Sequence, residues 1–195
     1  HYESEIGHFK NAVTPDVDTF RDSLELIEDQ LKNNKETKKI VMYCTGGIRC
    51  EKASAYYKFK GFKNVFQLEG GIINYKRQVN LSGLENKFIG KNFVFDERRS
   101  ESISNDIIAN CHQCGAPYDV HVNCANDACH LLFIQCEKCK IEMDGCCSSQ
   151  CKGINRLPFE DQKALRRGQG NSNDIFKKGR VDHLLNGKDL RNILK

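Results

Sequence analysis

Long apolar runs are missing from this chain. None approaches the ~18 residues that a membrane-spanning helix needs, so a helical membrane protein is excluded and no membrane partner is expected. The first thirty residues lack the basic start and apolar stretch of a secretory signal, which points to a cytoplasmic protein. Proline is scarce, with 3 in 195 residues. With 39% apolar and 29% charged residues, the chain is neither a disordered tail nor a fibrous repeat. A large excess of one charge is also missing, because a net charge of +4 is too mild to name a partner. The length fits one domain or two small ones.

The distribution of charge says more than its sum. Residues 1–110 carry +1, residues 111–151 carry −3 and residues 152–195 carry +6. A basic C-terminal segment fits contact with phosphates, and equally a solvated tail. Cysteine is abundant instead. There are 11, and nine fall between Cys111 and Cys151. Without a secretory signal, metal-binding or reactive thiols are a better reading than a disulfide framework.

Thr19 can cap a helix whose apolar stripe is Phe20, Leu24, Ile27 and Leu31. Ile40–Tyr43 reads as a buried strand, broken by Thr45-Gly46-Gly47. A helix over Glu51–Phe59 follows, stopped by Gly61. Val65–Leu68 reads as a second strand, with Gly70-Gly71 and a helix from Ile72 to Val79 after it. Strand, helix, strand, helix predicts a parallel sheet with flanking helices. Ser82–Asn92 reads as a connection, Asn92–Asp96 as a strand, and Leu157–Gln162 as a helix start. Lys177–Arg180 is expected to be mobile.

Cys44-Thr45-Gly46-Gly47-Ile48-Arg49-Cys50 lies between a strand and a helix. Cys44 ends the strand, at the carboxyl edge where open α/β sheets bind ligands. Two glycines let Thr45, Gly46, Gly47 and Ile48 curl so that backbone N–H groups face one point. The next helix aims its N-terminus there, and Arg49 adds positive charge. All of this favours a sulfur anion, so Cys44 is expected to be a nucleophilic thiolate. Cys50 is either a resolving thiol for an oxidised Cys44 or a small residue opening the helix.

These stretches carry a resemblance. Gly7–Val13, the Cys44 loop and Leu68-Glu69-Gly70-Gly71-Ile72 resemble three landmarks of the rhodanese domain, in order. The longer string Met42–Ala53, together with Ile89–Arg98 and the cysteine-rich segment, resembles the bacterial tRNA uridine 5-hydroxylase family, to about residue 180. The resemblance implies a rhodanese-like α/β domain followed by a small cysteine-rich zinc-type module. It also implies dioxygen-dependent formation of 5-hydroxyuridine at the wobble position (uridine 34), with tRNA and an electron donor as partners. Cys44 falls on the rhodanese nucleophile. The chain begins after the expected first strand and its Asp-x-Arg motif, and the family's N-terminal α/β domain does not precede it. The expectation is therefore a fragment, with a gap beside the central strands. The domains expected are 1–82, rhodanese-like; 83–110, a connector; 111–151, the metal module; and 152–195, a basic segment.

Cys-x2-Cys lets two thiolates bind one tetrahedral ion from a tight turn. Cys111, Cys114, Cys136 and Cys139 form two such pairs separated by 21 residues, close to zinc-ribbon spacing, and are paired around one zinc. The second set is Cys124, Cys129, Cys151 and either Cys146 or Cys147. An iron–sulfur cluster and metal-free thiols are the other readings. No organic cofactor motif is visible. The functions in play are a tRNA-modifying oxygenase, a sulfurtransferase working through a Cys44 persulfide, and a non-catalytic RNA-binding adaptor.

Overall fold

The computed structural model describes residues 1–167; the sequence expectation for Lys177–Arg180 and most of the basic segment lie outside the described residues. The chain divides into two compact units, His1–Asp106 and a second beginning at Ile107.

The first unit opens with α1 (Tyr2–Ile6) and β1 (Gly7–Phe9). α2 (Phe20–Leu31) starts where the sequence predicts: the Thr19 hydroxyl accepts the Asp22 N–H and the Asp22 carboxylate accepts the Thr19 N–H. Its Leu24, Ile27 and Leu31 pack on a core of Ile40, Ala53, Tyr57, Phe62 and Val65, while Phe20 stays exposed. That core joins β2 (Lys39–Met42), α3 (Ile48–Phe59) and β3 (Asn64–Gln67). β2 and β3 pair in parallel through the α3 crossover, as expected of strand–helix–strand. Alternation sends Ile40 and Val65 inward and leaves the register partners Val41 and Phe66 exposed on the other face.

α4 (Gly71–Ser82) follows, and then β4 (Phe88–Phe93) and β5 (Ser100–Ser102). Both strands lie in the stretch expected as a connector, and the strand expected over Asn92–Asp96 coincides with β4 only at Asn92 and Phe93. Gly90, Lys91 and Asn92 hide the strand pattern of β4 in the sequence. β4 pairs antiparallel with both β1 and β5, so an antiparallel sheet of order β1-β4-β5 stands alongside the parallel pair. Gly7 faces Gly90 in that sheet. A Cβ on Gly7 would lie 2.1 Å from the Lys91 oxygen of β4, and one on Gly90 would lie 2.1 Å from the oxygen of Ile6, the last residue of α1, so only two glycines allow the approach.

The second unit holds the antiparallel hairpin β6 (His121–Asn123) and β7 (Leu132–Ile134), then α5 (Glu137–Glu142), α6 (Ser149–Asn155) and α7 (Phe159–Arg166). Its core is partly sulfur: Cys124, Leu131, Phe133, Cys146 and Cys147 cluster together, with Cys129 and Cys151 against them.

Candidate active site

Cys44 lies just past the carboxyl end of β2, and its loop is fixed from two sides. The Cys44 carbonyl accepts the Ile72 N–H at 3.0 Å and the Thr45 carbonyl accepts the Ile73 N–H at 3.2 Å, so the first turn of α4 grips the loop backbone. This contact explains the Gly70-Gly71 pair. Gly71 has φ +65°, and a Cβ there would sit 2.5 Å from the Cys44 oxygen and 2.6 Å from the Thr45 oxygen. On the other side, the Thr45 hydroxyl contacts the Phe93 carbonyl at 3.1 Å and the Asn92 side-chain oxygen at 3.3 Å. One hydroxyl has one proton, which the shorter contact takes. Turning the Asn92 amide about its last bond then lets its buried, otherwise acceptor-less NH2 donate to the same hydroxyl.

Within the loop, the Gly47 N–H donates to the Cys44 sulfur at 3.1 Å. Gly47 adopts φ +97° as the N-cap of α3, which turns its N–H back toward the sulfur. The Cys44 thiol is held down at about 5. The Cys50 S–H bond to its sulfur is the largest cause. Partial burial opposes it, and the N–H groups of Cys50, Gly47 and Arg49 add to it. The Cys50 thiol is pushed up by the same contact, and by its burial, so the pair shares one proton that stays on Cys50.

Arg49 has partners that lie far from it in the sequence. Its guanidinium grips Glu3 in a two-pronged pair, Nη1 to Oε1 at 2.6 Å and Nη2 to Oε2 at 2.7 Å, and lies 5.2 Å over the Phe95 ring. Glu3 offsets part of its charge, while the guanidinium and the Cys44 sulfur still favour each other's ionised forms, and the Arg49 backbone N–H adds to this. Sequence reasoning missed Glu3 and Phe95, which are 46 residues before and after Arg49.

In the second unit, all nine cysteines are free thiols, as are Cys44 and Cys50. Two quartets form: Cys111, Cys114, Cys136 and Cys139, and Cys124, Cys129, Cys147 and Cys151, the sulfurs of each lying within 4.8 Å of one another. The second quartet takes Cys147. Cys146 is fully buried, and its sulfur faces the Asp144 carbonyl at 3.7 Å.

Both quartets fit a tetrahedral ion. Metal–sulfur bonds of about 2.3 Å give sulfur–sulfur edges near 3.8 Å. The observed contacts are 3.5 Å for Cys114 and Cys136, and 3.7 Å for Cys129 and Cys147 and for Cys147 and Cys151. The quartets are built alike. The Cys136 N–H donates to the Cys111 sulfur, and the Cys147 N–H to the Cys124 sulfur, each at 3.4 Å. Gly115, at φ +73°, closes the first turn by donating to the Cys111 carbonyl at 2.8 Å. Burial works against ionising Cys111, but backbone N–H groups outweigh it and hold the thiol at about 6. Burial and the neighbouring thiols push Cys139 up. A dication relieves that conflict. Four protein ligands leave no open position, so such an ion braces the fold.

A parallel βα pair with a thiolate at its carboxyl rim, cradled by N–H groups, defines a rhodanese-like domain. Residues 1–78 match the family model described as rhodanese-like domain, and residues 89–152 match the one described as rhodanase C-terminal. The protein named tRNA uridine(34) hydroxylase in Yersinia enterocolitica is 59% identical over 180 residues, covering 92% of this chain and 51% of that one. The protein of that name in Pectobacterium atrosepticum is 58% identical, covering 92% and 50%. In Leptospira interrogans it is 56% identical over 181 residues, covering 93% and 49%. The chain belongs to the family of these rhodanese-containing proteins and spans about half the length of the curated relatives it matches.

No helix among the described residues is long and apolar enough to cross a membrane.

Proposed function

We propose that the full protein is an oxidoreductase that hydroxylates the wobble uridine of tRNA, with Cys44 as the reactive thiol. The observation that carries this reading is the 59% identity over 180 residues to a protein named tRNA uridine(34) hydroxylase. The cradled Cys44 thiolate supports it, and C5 of the base follows from the family resemblance. Replacing C5–H by C5–OH with dioxygen as co-substrate sends the second oxygen to water and consumes two electrons and two protons. A two-electron donor is therefore a required partner. Cys44 acts at the base, the N–H groups of the loop from Thr45 to Ile48 hold negative charge, Arg49 closes the loop, and Cys50 keeps the shared proton and resolves an oxidised Cys44. The base has to leave its stack in the anticodon loop to reach this rim.

Zinc is the ion assigned to both quartets, because four-thiolate tetrahedral sites suit it. The cysteine-rich module shapes a surface for tRNA, helped by the excess of positive charge over 152–195. This work belongs in the cytoplasm, where the substrate is.

Mass spectrometry of nucleosides from total tRNA, with and without the full-length protein, tests the reading. Loss of 5-hydroxyuridine and its restoration by the wild type, but not by Cys44→Ala, is expected. Persistence of the nucleoside when no redundant pathway acts overturns it. One observation favours a second reading: the N–H groups that hold a thiolate hold a persulfide equally well. Sulfur transfer from thiosulfate to cyanide, lost in Cys44→Ala, is the result that distinguishes a sulfurtransferase. Full complementation by Cys44→Ala is the result expected of an adaptor.

A further inference from the structure

Four strongly exposed phenylalanine rings stand on the described surface: Phe59, Phe66, Phe95 and Phe159. Phe95 is the one tied to the Cys44 loop. It is 59% exposed, although its chain neighbours Phe93 and Val94 are buried. Its turn is closed by backbone bonds: the Val94 N–H donates to the Arg99 carbonyl at 3.1 Å, and the Arg99 N–H to the Asp96 carbonyl at 2.9 Å. The ring packs edge-on against Phe93 with centroids 5.2 Å apart. The Phe93 carbonyl in turn receives the Thr45 hydroxyl. The Arg49 guanidinium lies 5.2 Å from the Phe95 centroid and is itself held by both oxygens of Glu3. The ring is thus fixed at the rim of the thiolate loop and still presented to solvent.

Proteins that read unstacked bases use this arrangement, in which a fixed aromatic ring replaces the stacking that the base loses. A guanidinium over the same ring adds a second flat surface. We propose that Phe95 is the stacking platform for the target pyrimidine, holding the splayed-out base beside Cys44. This deepens the reading of the protein as a tRNA uridine hydroxylase and rests on it.

The test uses the full-length protein and an anticodon stem-loop carrying 5-iodouridine at the target position, whose photochemistry joins it to a stacked aromatic ring. The expected crosslink is to Phe95. It is kept in Phe95→Tyr and lost in Phe95→Leu, which preserves apolar volume. With the unmodified stem-loop, Phe95→Leu is expected to raise Kd by on the order of ten- to a hundredfold. Phe95→Tyr stays near wild type, and Cys44 alkylation by iodoacetamide is unchanged in both. A crosslink elsewhere, or wild-type affinity in Phe95→Leu while the wild type hydroxylates tRNA, overturns the platform and leaves the enzyme reading standing. A wild-type protein that neither binds nor hydroxylates the stem-loop overturns both.

Discussion

The side-chain amide of Gln135 donates to that of Gln113 at 2.9 Å, and this buried pair lies between the two cysteine quartets. Gln113 sits inside the Cys111–Cys114 turn, yet its own NH2 donates to the carbonyls of Cys146 and Cys147 at 2.9 and 3.1 Å. Gln135, next to Cys136, also reaches the carbonyls of Cys139 and Cys146. Each hydrogen bond of this kind contributes about 1 kcal/mol, and a partner left buried without one costs about 1–3 kcal/mol. Removing an ion from one quartet is therefore expected to loosen the backbone that holds the other. In the wild type, a chelator is expected to extract both ions in one concerted phase. In Gln135→Leu the release splits into two phases, and the first is faster. Two independent phases in the wild type would show that the quartets are not coupled.

The adjacent cysteines 146 and 147 have opposite fates, and metal content separates them. The Cys146 thiol, raised to about 11 by burial and the charge of Cys124, is a core side chain. Cys147 is in the quartet. Cys146→Ala is expected to keep two ions per chain, with a stability loss of about 1–3 kcal/mol from the small cavity. Cys147→Ala falls toward one ion. Equal loss in the two variants counts against this assignment.

The sequence makes this site legible where the chemistry is local. Strand, Cys44, Gly46-Gly47 and α3 are consecutive, so the thiolate can be inferred from neighbours alone. The Cys-x2-Cys pairs are short-range too, and they predict the first quartet in full. The choice between Cys146 and Cys147 is not legible. It depends on how the chain turns just before the pair, where Asp144 and Gly145 both adopt positive φ, and a linear pattern does not encode that turn. Glu3 and Phe95 are illegible for another reason. Each meets Arg49 through tertiary packing across 46 residues, and no periodicity encodes that distance. Only the end of β4 is legible, as part of the strand expected over Asn92–Asp96; its start hides because its pairing depends on Gly7 and Gly90, which read as breakers in isolation.

Cys44 should react as a thiolate well below neutral pH. With its thiol held at about 5, the rate of alkylation by iodoacetamide rises through pH 5 and is flat above about 7. The depressed value also means that ionised Cys44 stabilises the fold. The contribution is complete above the unfolded thiol value, near pH 9, and fades as pH falls through about 5. Cys50→Ala removes the leading cause and moves the midpoint upward. Cys50→Ser keeps a donor and moves it less. A wild-type midpoint near 8 or 9 would contradict the cradle.

Glu3 restrains Arg49 and lowers its electrostatic influence on the sulfur. Glu3→Gln breaks a two-pronged pair whose side chains are about one-third exposed, and is expected to cost about 1–2 kcal/mol, read as a drop of several degrees in Tm. The freed guanidinium then favours the thiolate more, so the Cys44 midpoint moves down. An upward shift would mean that the ion pair acts on Cys44 by positioning the loop.

Gly71 and Gly46 make a paired test of which glycine in the site is indispensable. Gly46 has open space around its missing Cβ and no positive φ, so Gly46→Ala is expected to leave Cys44 reactivity within about twofold. At Gly71 both conditions reverse. The φ of +65° costs an L-residue about 1–2 kcal/mol, and the added carbon meets two carbonyl oxygens of the loop's own backbone, which cannot rotate away. Gly71→Ala must push the Cys44–Thr45 segment off α4, which breaks the bonds from Ile72 and Ile73 and loosens the cradle. The expected result is a folded protein whose Cys44 midpoint returns toward the ordinary thiol range and whose activity falls at least tenfold. Activity and alkylation should fall together, because both depend on the same backbone register. A Gly71→Ala protein with an unchanged alkylation profile would show that α4 does not set the geometry of the thiolate.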